Sequence, residues 1–376
     1  MQTQVAMQTH HNLPANGIPF LLSRPHGTVF TEGVADQYSS AHTALEHLRS
    51  GAISAVAGAL PFSLEEPAAL IAPERLVCDA APPTAEPALL PPMAVTGYVP
   101  AASEHTSRIE AAISRMSASA LEKVVLARAV TITASEAIAP SALLSRLVER
   151  DPHGNGYAVD LSAAGGTWAG RHLIGASPEV LVCRTGRIVT CHPLAGSAPR
   201  DLDPEIDRTH AAQLLSSAKN LAEHAFVVDH IRATLMPHCR ELRLRNTPTL
   251  TKTRELWHLG TPIRGELRRT DTTALDLALA LHPTPAVCGT PTAAARDVIA
   301  KAEGSRGFYA GAVGWTDKNG DGEWMVTIRC AILDADQTTL TAYAGGGIVA
   351  DSNPADELAE TSAKLRTVFD AFEVKR

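Results

Sequence analysis

The sequence predicts a mixed α/β fold, and three observations predict it. The chain has 376 residues, 45% of them hydrophobic, which leaves ample apolar surface for a large core. From Ser103 onward, stretches with apolar residues at helical spacing are interspersed with shorter runs that read as strands. Turn signals rich in glycine and proline separate the two kinds of stretch.

In chain order, GAISAVAGAL at 51–60 is the most lipid-like segment, but it stops at Pro61 and is far too short to span a bilayer. Residues 67–100 are dense in proline, which disfavours long helices and suggests extended segments, turns or a sheet edge; this is the best candidate for a boundary. HTSRIEAAISRMSAS then has helical spacing, EKVVLARAVTITA reads as a strand with Lys123 at its mouth, and Pro140 with SALLSRLVER opens a second helix. GYAVDLS, GGTWAGRHLIGAS and PEVLVCRTGRIVTCHP read as strands, the last as two lengths joined across a Thr-Gly turn. Residues 205–235 make the longest helical stretch, with Leu214, Leu221, Phe226 and Val227 among its apolar positions. LALALHPTPAVCGTPTAAARDVIAKAEG reads as helix, irregular loop and helix, and GFYAGAVGWTDKNGDGEWMVTIRCAIL as two strands joined by a turn. Near the C-terminus, Glu357, Glu360 and Lys364 fall three and four residues apart, on one face of a helix.

Composition narrows the function classes. With 33 Lys and Arg against 40 Asp and Glu, and no basic run, nucleic acid is a poor partner. The six cysteines form no CxxC pair and no zinc-like cluster, which fits a reducing cytoplasm. The N-terminus has neither a basic nor an apolar leader region. Asp317, Asn319, Asp321 and Gly322 imitate the start of an EF-hand loop, but the twelfth position is Ile328 where a bidentate Glu belongs, so a polar hairpin turn is expected. AGGGIVADS lacks the GxGxxG spacing and a following βαβ unit, which excludes a dinucleotide loop.

Four separated segments each set charged groups beside small residues: Lys123 opening a strand, Glu179 in GASPEVL, Glu223 with His224 inside a helix, and Glu357, Glu360 and Lys364 after three glycines. Together with PLAGSAPR at 193–200, LWHLGTPI at 256–263, HPTPAVCG at 282–289 and VTIRCA at 326–331, they make a chain that resembles the chorismate-utilising enzymes, and within them the isochorismate synthases of the siderophore-type branch. The resemblance runs from about Lys123 to Lys364, with a weaker echo in GALPFSLEEPAALIAPE at 58–74.

That resemblance implies one domain over 1–376, with a less regular part at 1–105 and a motif-bearing part at 106–376, built as two large, mainly antiparallel sheets flanked by helices. It implies Mg²⁺ held by Glu223 and Glu360, with Glu357 in or just outside the coordination sphere; hard oxygen ligands suit this ion, which keeps several waters and binds the substrate's anion. Arg329, Lys364 and the backbone N–H groups near Gly345 and Gly346 match positions that hold the substrate's carboxylates. Lys123 matches the general base that takes a proton from the water attacking C2 of chorismate. Glu179 matches the general acid that protonates the departing C4 hydroxyl, a role that calls for a raised pKa. His258 matches a residue lining the site near the reacting ring, and Gly196 and Ser197 are expected to contact the substrate through backbone and hydroxyl groups.

Two segments sort the branches. Amino-transferring relatives commonly carry a PIKGT-type segment and work with an ammonia-supplying glutaminase; here Pro262-Ile263-Arg264-Gly265-Glu266 stands there, so no glutaminase subunit is expected. Salicylate synthases typically place a threonine where this chain has Ala286, next to Val287. Relatives often carry an acid three residues before the Glu of the Glu-His helix, where this chain has Asn220. The expectation is an Mg²⁺-dependent isochorismate synthase; its rivals are a salicylate synthase and an inactive member that only binds chorismate or a protein.

Overall fold

The computed structural model describes residue 17, residues 19–80 and residues 89–375. The leader-peptide reading and the centre of the proline-rich stretch lie outside the described residues.

The apolar runs pair into two large antiparallel sheets. The ten-stranded sheet has the order Gly289–Thr290, Lys123–Ala134, Thr339–Ile348, Cys330–Leu333, His172–Gly175, Gly156–Asp160, Phe20–Arg24, Gly27–Glu32 and Arg75–Ala80, with Met93–Val99 also on Lys123–Ala134. The nine-stranded sheet runs Cys239–Leu244, Ile263–Leu267, Ile188–His192, Val180–Thr185, Gly322–Val326, Ala312–Asp317, Ala55–Leu60, Ala69–Ala72 and Asp36–Tyr38. A third sheet joins Leu194–Pro199, Leu256–Gly260 and Thr249–Lys252. Segments before residue 105 thus contribute strands to both large sheets.

Eight α-helices accompany these sheets among the described residues: α1 (Ala41–Ser50), α2 (Ala102–Ser117), α3 (Pro140–Arg150), α4 (Pro204–Ser216), α5 (Ala218–Leu235), α6 (Ala274–Leu281), α7 (Thr292–Glu303) and α8 (Pro354–Ala371). Successive strand residues serve opposite faces. Phe20, Leu22 and Leu173 join a core with Val182, Trp324 and Met325 of the other large sheet, whereas Leu21 and Ile174 face a second core closed by Leu143 and Leu147 of α3 and Phe369 of α8.

Three local readings differ from expectation. The stretch 205–235 is two helices, because Ser217 leaves helical geometry at ψ 110° and its hydroxyl accepts from the Asn220 N–H, capping α5. The stretch LSAAGGTWAG forms two 3₁₀ turns, Leu161–Ala164 and Gly166–Trp168, ahead of the short strand His172–Gly175, with Trp168 edge-on to Phe308. VTIRCAIL is not one strand: Arg329, at φ +53°, breaks it where the chain passes from Gly322–Val326 of one large sheet to Cys330–Leu333 of the other. The Asp317–Asp321 loop is a hairpin turn, with Asp317 Oδ1 accepting from the Asn319 and Asp321 N–H groups and Gly320 at φ +83°.

Candidate active site

Where the sheets converge, α5 and α8 close a cleft of about 670 Å³, its mouth included. Of the residues singled out in the sequence, Glu179, Gly196, Ser197, Glu223, His258, Ala286, Arg329, Gly345, Glu360 and Lys364 line it. Gly346, Glu357 and Lys123 do not; they stand directly behind the wall. None of residues 262–266 lines the cleft.

Three carboxylates project from two helices. Glu223 sits one turn past Lys219 on α5, and Glu357, Glu360 and Lys364 share a face of α8. Each acid meets a lysine nitrogen: Lys123 Nζ lies 3.1 Å from Glu223 Oε1, Lys364 Nζ 2.6 Å from Glu360 Oε1, and Lys219 Nζ 2.5 Å from Glu357 Oε1. Ser352 donates a second hydrogen bond to Glu357 Oε1. Burial disfavours the charge on Glu360, but Lys364, Lys219 and Ser197 together outweigh it and hold the carboxyl below its ordinary range; burial and the neighbouring Glu360 charge push Glu357 up. Burial also opposes the Lys219 charge, yet Glu357, Glu223 and Glu360 together hold its pKa above that of an ordinary lysine.

The triple glycine is needed because these groups crowd the end of the strand Thr339–Ile348. A Cβ on Gly347 would stand 2.1 Å from Glu223 Oε1, and one on Gly345 2.8 Å from the Tyr309 hydroxyl. Asn220, at the position where an acid was expected, donates to Ser217 Oγ and packs against Gly196, whose φ is +77°.

Lys123 is 0% exposed, and the acid beside it, Glu223, is the group that reaches the cleft. Across the cavity Glu179 is 3% exposed. Its burial pushes the carboxyl up to about 8, against the opposing pull of the Leu194 N–H and of Lys123, Lys364 and Arg329. Near neutral pH it is therefore a proton donor. His258 lies 3.3 Å from an Arg329 guanidinium nitrogen, and since guanidinium only donates, His258 Nε2 is the acceptor. Burial, with Arg329 and Lys364 nearby, holds this ring well below the usual histidine range and so neutral.

The donor set bears on a metal. Among the described residues no group of three or more His, Cys, Asp or Glu side chains forms a ready cage. Glu223 and Glu360 face the cleft from different helices, while Glu357 is tied to Lys219 and Ser352. Two carboxylate oxygens beside open space fit Mg²⁺, which takes one or two protein carboxylates and completes its octahedron with water and substrate oxygens.

Sequence reasoning missed Lys219, Gly347 and a pair of rings, Tyr309 and Tyr343, that stack 5.0 Å apart along the wall. Lys219 was discoverable as the residue one helical turn before Glu223; nothing local marks the tyrosines.

The family model described as chorismate binding enzyme matches residues 80–373. A Mycobacterium tuberculosis protein provisionally assigned as isochorismate synthase MenF is 49% identical over 360 residues, covering 95% of this chain and 97% of its own. Isochorismate synthase DhbC of Bacillus subtilis is 43% identical over 375 residues, 94% of each chain. The crystal structure of DhbC from Bacillus anthracis superimposes with a TM-score of 0.88 at 39% identity, covering 96% of this chain and 98% of that one.

Proposed function

Because the chain belongs to the chorismate-binding enzyme family, we propose that it is an isochorismate synthase, an isomerase that converts chorismate to isochorismate. The observation that carries the reading is a cleft lined by buried Glu179 and by Glu223, with Lys123 paired to Glu223 just behind its wall. The identity to B. subtilis DhbC over almost the whole chain supports the same reaction.

In this reading Lys123, in its neutral amine form, takes a proton from a water adding at C2, the ring double bonds shift, and Glu179 gives its proton to the hydroxyl leaving C4, so one water enters and one departs. Glu179 then recovers a proton from solvent and Lys123 releases one. Arg329 and Lys364 hold the substrate's carboxylates, with backbone N–H groups at Gly345 and Gly346 close by. Arg329 is set in place by its left-handed backbone and by donation to Thr367 and His258, which limits its movement when an anion arrives. Neutral His258, Gly196, Ser197 and Ala286 shape the wall against the ring. Glu223 and Glu360 would hold Mg²⁺, with Glu357 supporting from behind; when bound, the ion supplies positive charge for a substrate carboxylate.

Cys183, Cys191, Cys239, Cys288 and Cys330 are free thiols, and among the described residues no helix is long and apolar enough to cross a membrane. Both fit a cytoplasmic enzyme; the reading without a glutaminase subunit rests on the Pro262–Glu266 segment alone. The test is incubation of the purified chain with chorismate and Mg²⁺, followed by chromatographic product analysis. Isochorismate is expected; salicylate with pyruvate as the main products, or no turnover, would overturn the assignment.

A further inference from the structure

Behind the cleft, outside every residue assigned a role above, lies a buried ion pair. Arg306 is 5% exposed, and its Nε and one terminal nitrogen each donate to Glu303 at 2.8 Å. The remaining donor capacity goes to two main-chain carbonyls, Val287 at 2.8 Å and Val125 at 2.7 Å. Glu303 Oε1 in turn accepts the Ala127 N–H at 2.7 Å.

The two carbonyls belong to different walls of the cleft. Val125 lies two residues after Lys123 on the same strand, while Val287 and Ala286 form the turn that faces the cavity. Both carbonyls are acceptors and cannot bond each other, so a donor must stand between them. A guanidinium supplies two divergent N–H groups in one rigid plane, which a lysine ammonium does not reproduce. Main-chain bonds stitch the same seam, from the Val125 N–H to the Cys288 carbonyl and from the Glu122 N–H to the Thr290 carbonyl, both at 2.8 Å, beside the pairing of Gly289–Thr290 with Lys123 and Val124. Arg306 also braces a third wall: its guanidinium carbon lies 5.8 Å from the centre of the Tyr309 ring, and its carbonyl accepts the Tyr309 N–H.

We propose that the Arg306–Glu303 pair is the positioning device of the cleft, fixing the strand that bears Lys123 against the turn that bears Ala286 and Val287. Neither residue lines the cavity, so both act through what they hold. The role rests on the isochorismate synthase reading, because the spacing it fixes is that between the proposed base and the wall beside the ring.

Arg306→Lys keeps the charge but breaks the double bridge, and Glu303→Gln keeps the shape but releases the guanidinium. Each variant and the parent are assayed with chorismate at saturating Mg²⁺, per folded molecule as counted by native chromatography, and each is followed by hydrogen–deuterium exchange. A misplacement of the order of an ångström costs up to about 10²-fold in rate. Arg306→Lys is therefore expected to lower kcat by about that factor while moving KM far less, with Glu303→Gln showing a smaller loss. Amide exchange should quicken in residues 123–128 and 284–289 of both variants and in few others. Parental kcat with quickened exchange would reduce the pair to a structural role and overturn the proposal, as would unchanged exchange in both variants. A parent that makes no isochorismate would sink the functional reading instead, and the exchange data would still judge the seam.

Discussion

Replacing Glu179 by glutamine tests the acid assignment through stability as well as rate. Raising a carboxyl from 4.5 to about 8 makes its ionisation cost about 5 kcal/mol in the folded protein, at about 1.4 kcal/mol per pH unit. The folded state keeps the proton up to about pH 8, whereas the unfolded chain gives it up near 4.5. Unfolding therefore releases a proton in that window, and the contribution of Glu179 to stability, complete below pH 4.5, is lost as pH rises towards about 8. Glutamine fills the same volume and does not titrate. Guanidinium unfolding, followed by tryptophan fluorescence at several pH values from 5 to 8, should show the stability of Glu179→Gln gaining on the parent by a few kcal/mol across the series, approaching about 5 kcal/mol at its upper end. All other groups titrate in both proteins, so the difference isolates this one. The same variant should lose about 10²–10⁴-fold in kcat, and the parent's kcat/KM should fall on the alkaline side near pH 8. Parallel stability curves would refute the argument that burial keeps this carboxyl protonated.

Two further outcomes follow from the geometry. Lys123→Ala should lose about 10²–10⁴-fold in turnover with chorismate while calorimetry still detects Mg²⁺ binding; near-parental turnover would remove Lys123 as the base. Gly347→Ala forces the Glu223 carboxylate to move, because the added methyl would meet Oε1 at 2.1 Å, and Glu360→Gln removes a charge from the opposite helix. Both should raise the Mg²⁺ concentration needed for half-maximal activity by about tenfold or more, with circular dichroism unchanged; a parental metal dependence in both would show that the site lies elsewhere.

Much of this was legible in the sequence because it is local. The helical spacing of Glu357, Glu360 and Lys364, the strand opened by Lys123 and the Asp317 hairpin all follow from periodicities and turn chemistry within a few residues. What escaped depends on partners far along the chain. Ser217 could end a helix only because its hydroxyl caps the next one, which a continuous apolar pattern conceals. The stacking of Tyr309 on Tyr343, and the bridge from Arg306 to Val125, join segments whose adjacency is set by the sheets alone. The two-sheet arrangement came from family resemblance; alternation of helix and strand supplies no strand order.

The strand Thr339–Ile348, with its three glycines, lies against the whole first half and more of Lys123–Ala134, pairing Tyr343 with Ala129 and Ile348 with Val124. The strand Lys123–Ala134 therefore gains this neighbour only from a segment far along the chain, and non-local pairings of this kind form late and slowly. A chain lacking that strand would expose a hydrophobic sheet edge and lose Gly345 and Gly347 from the wall of the cleft, so the site depends on this long-range pairing.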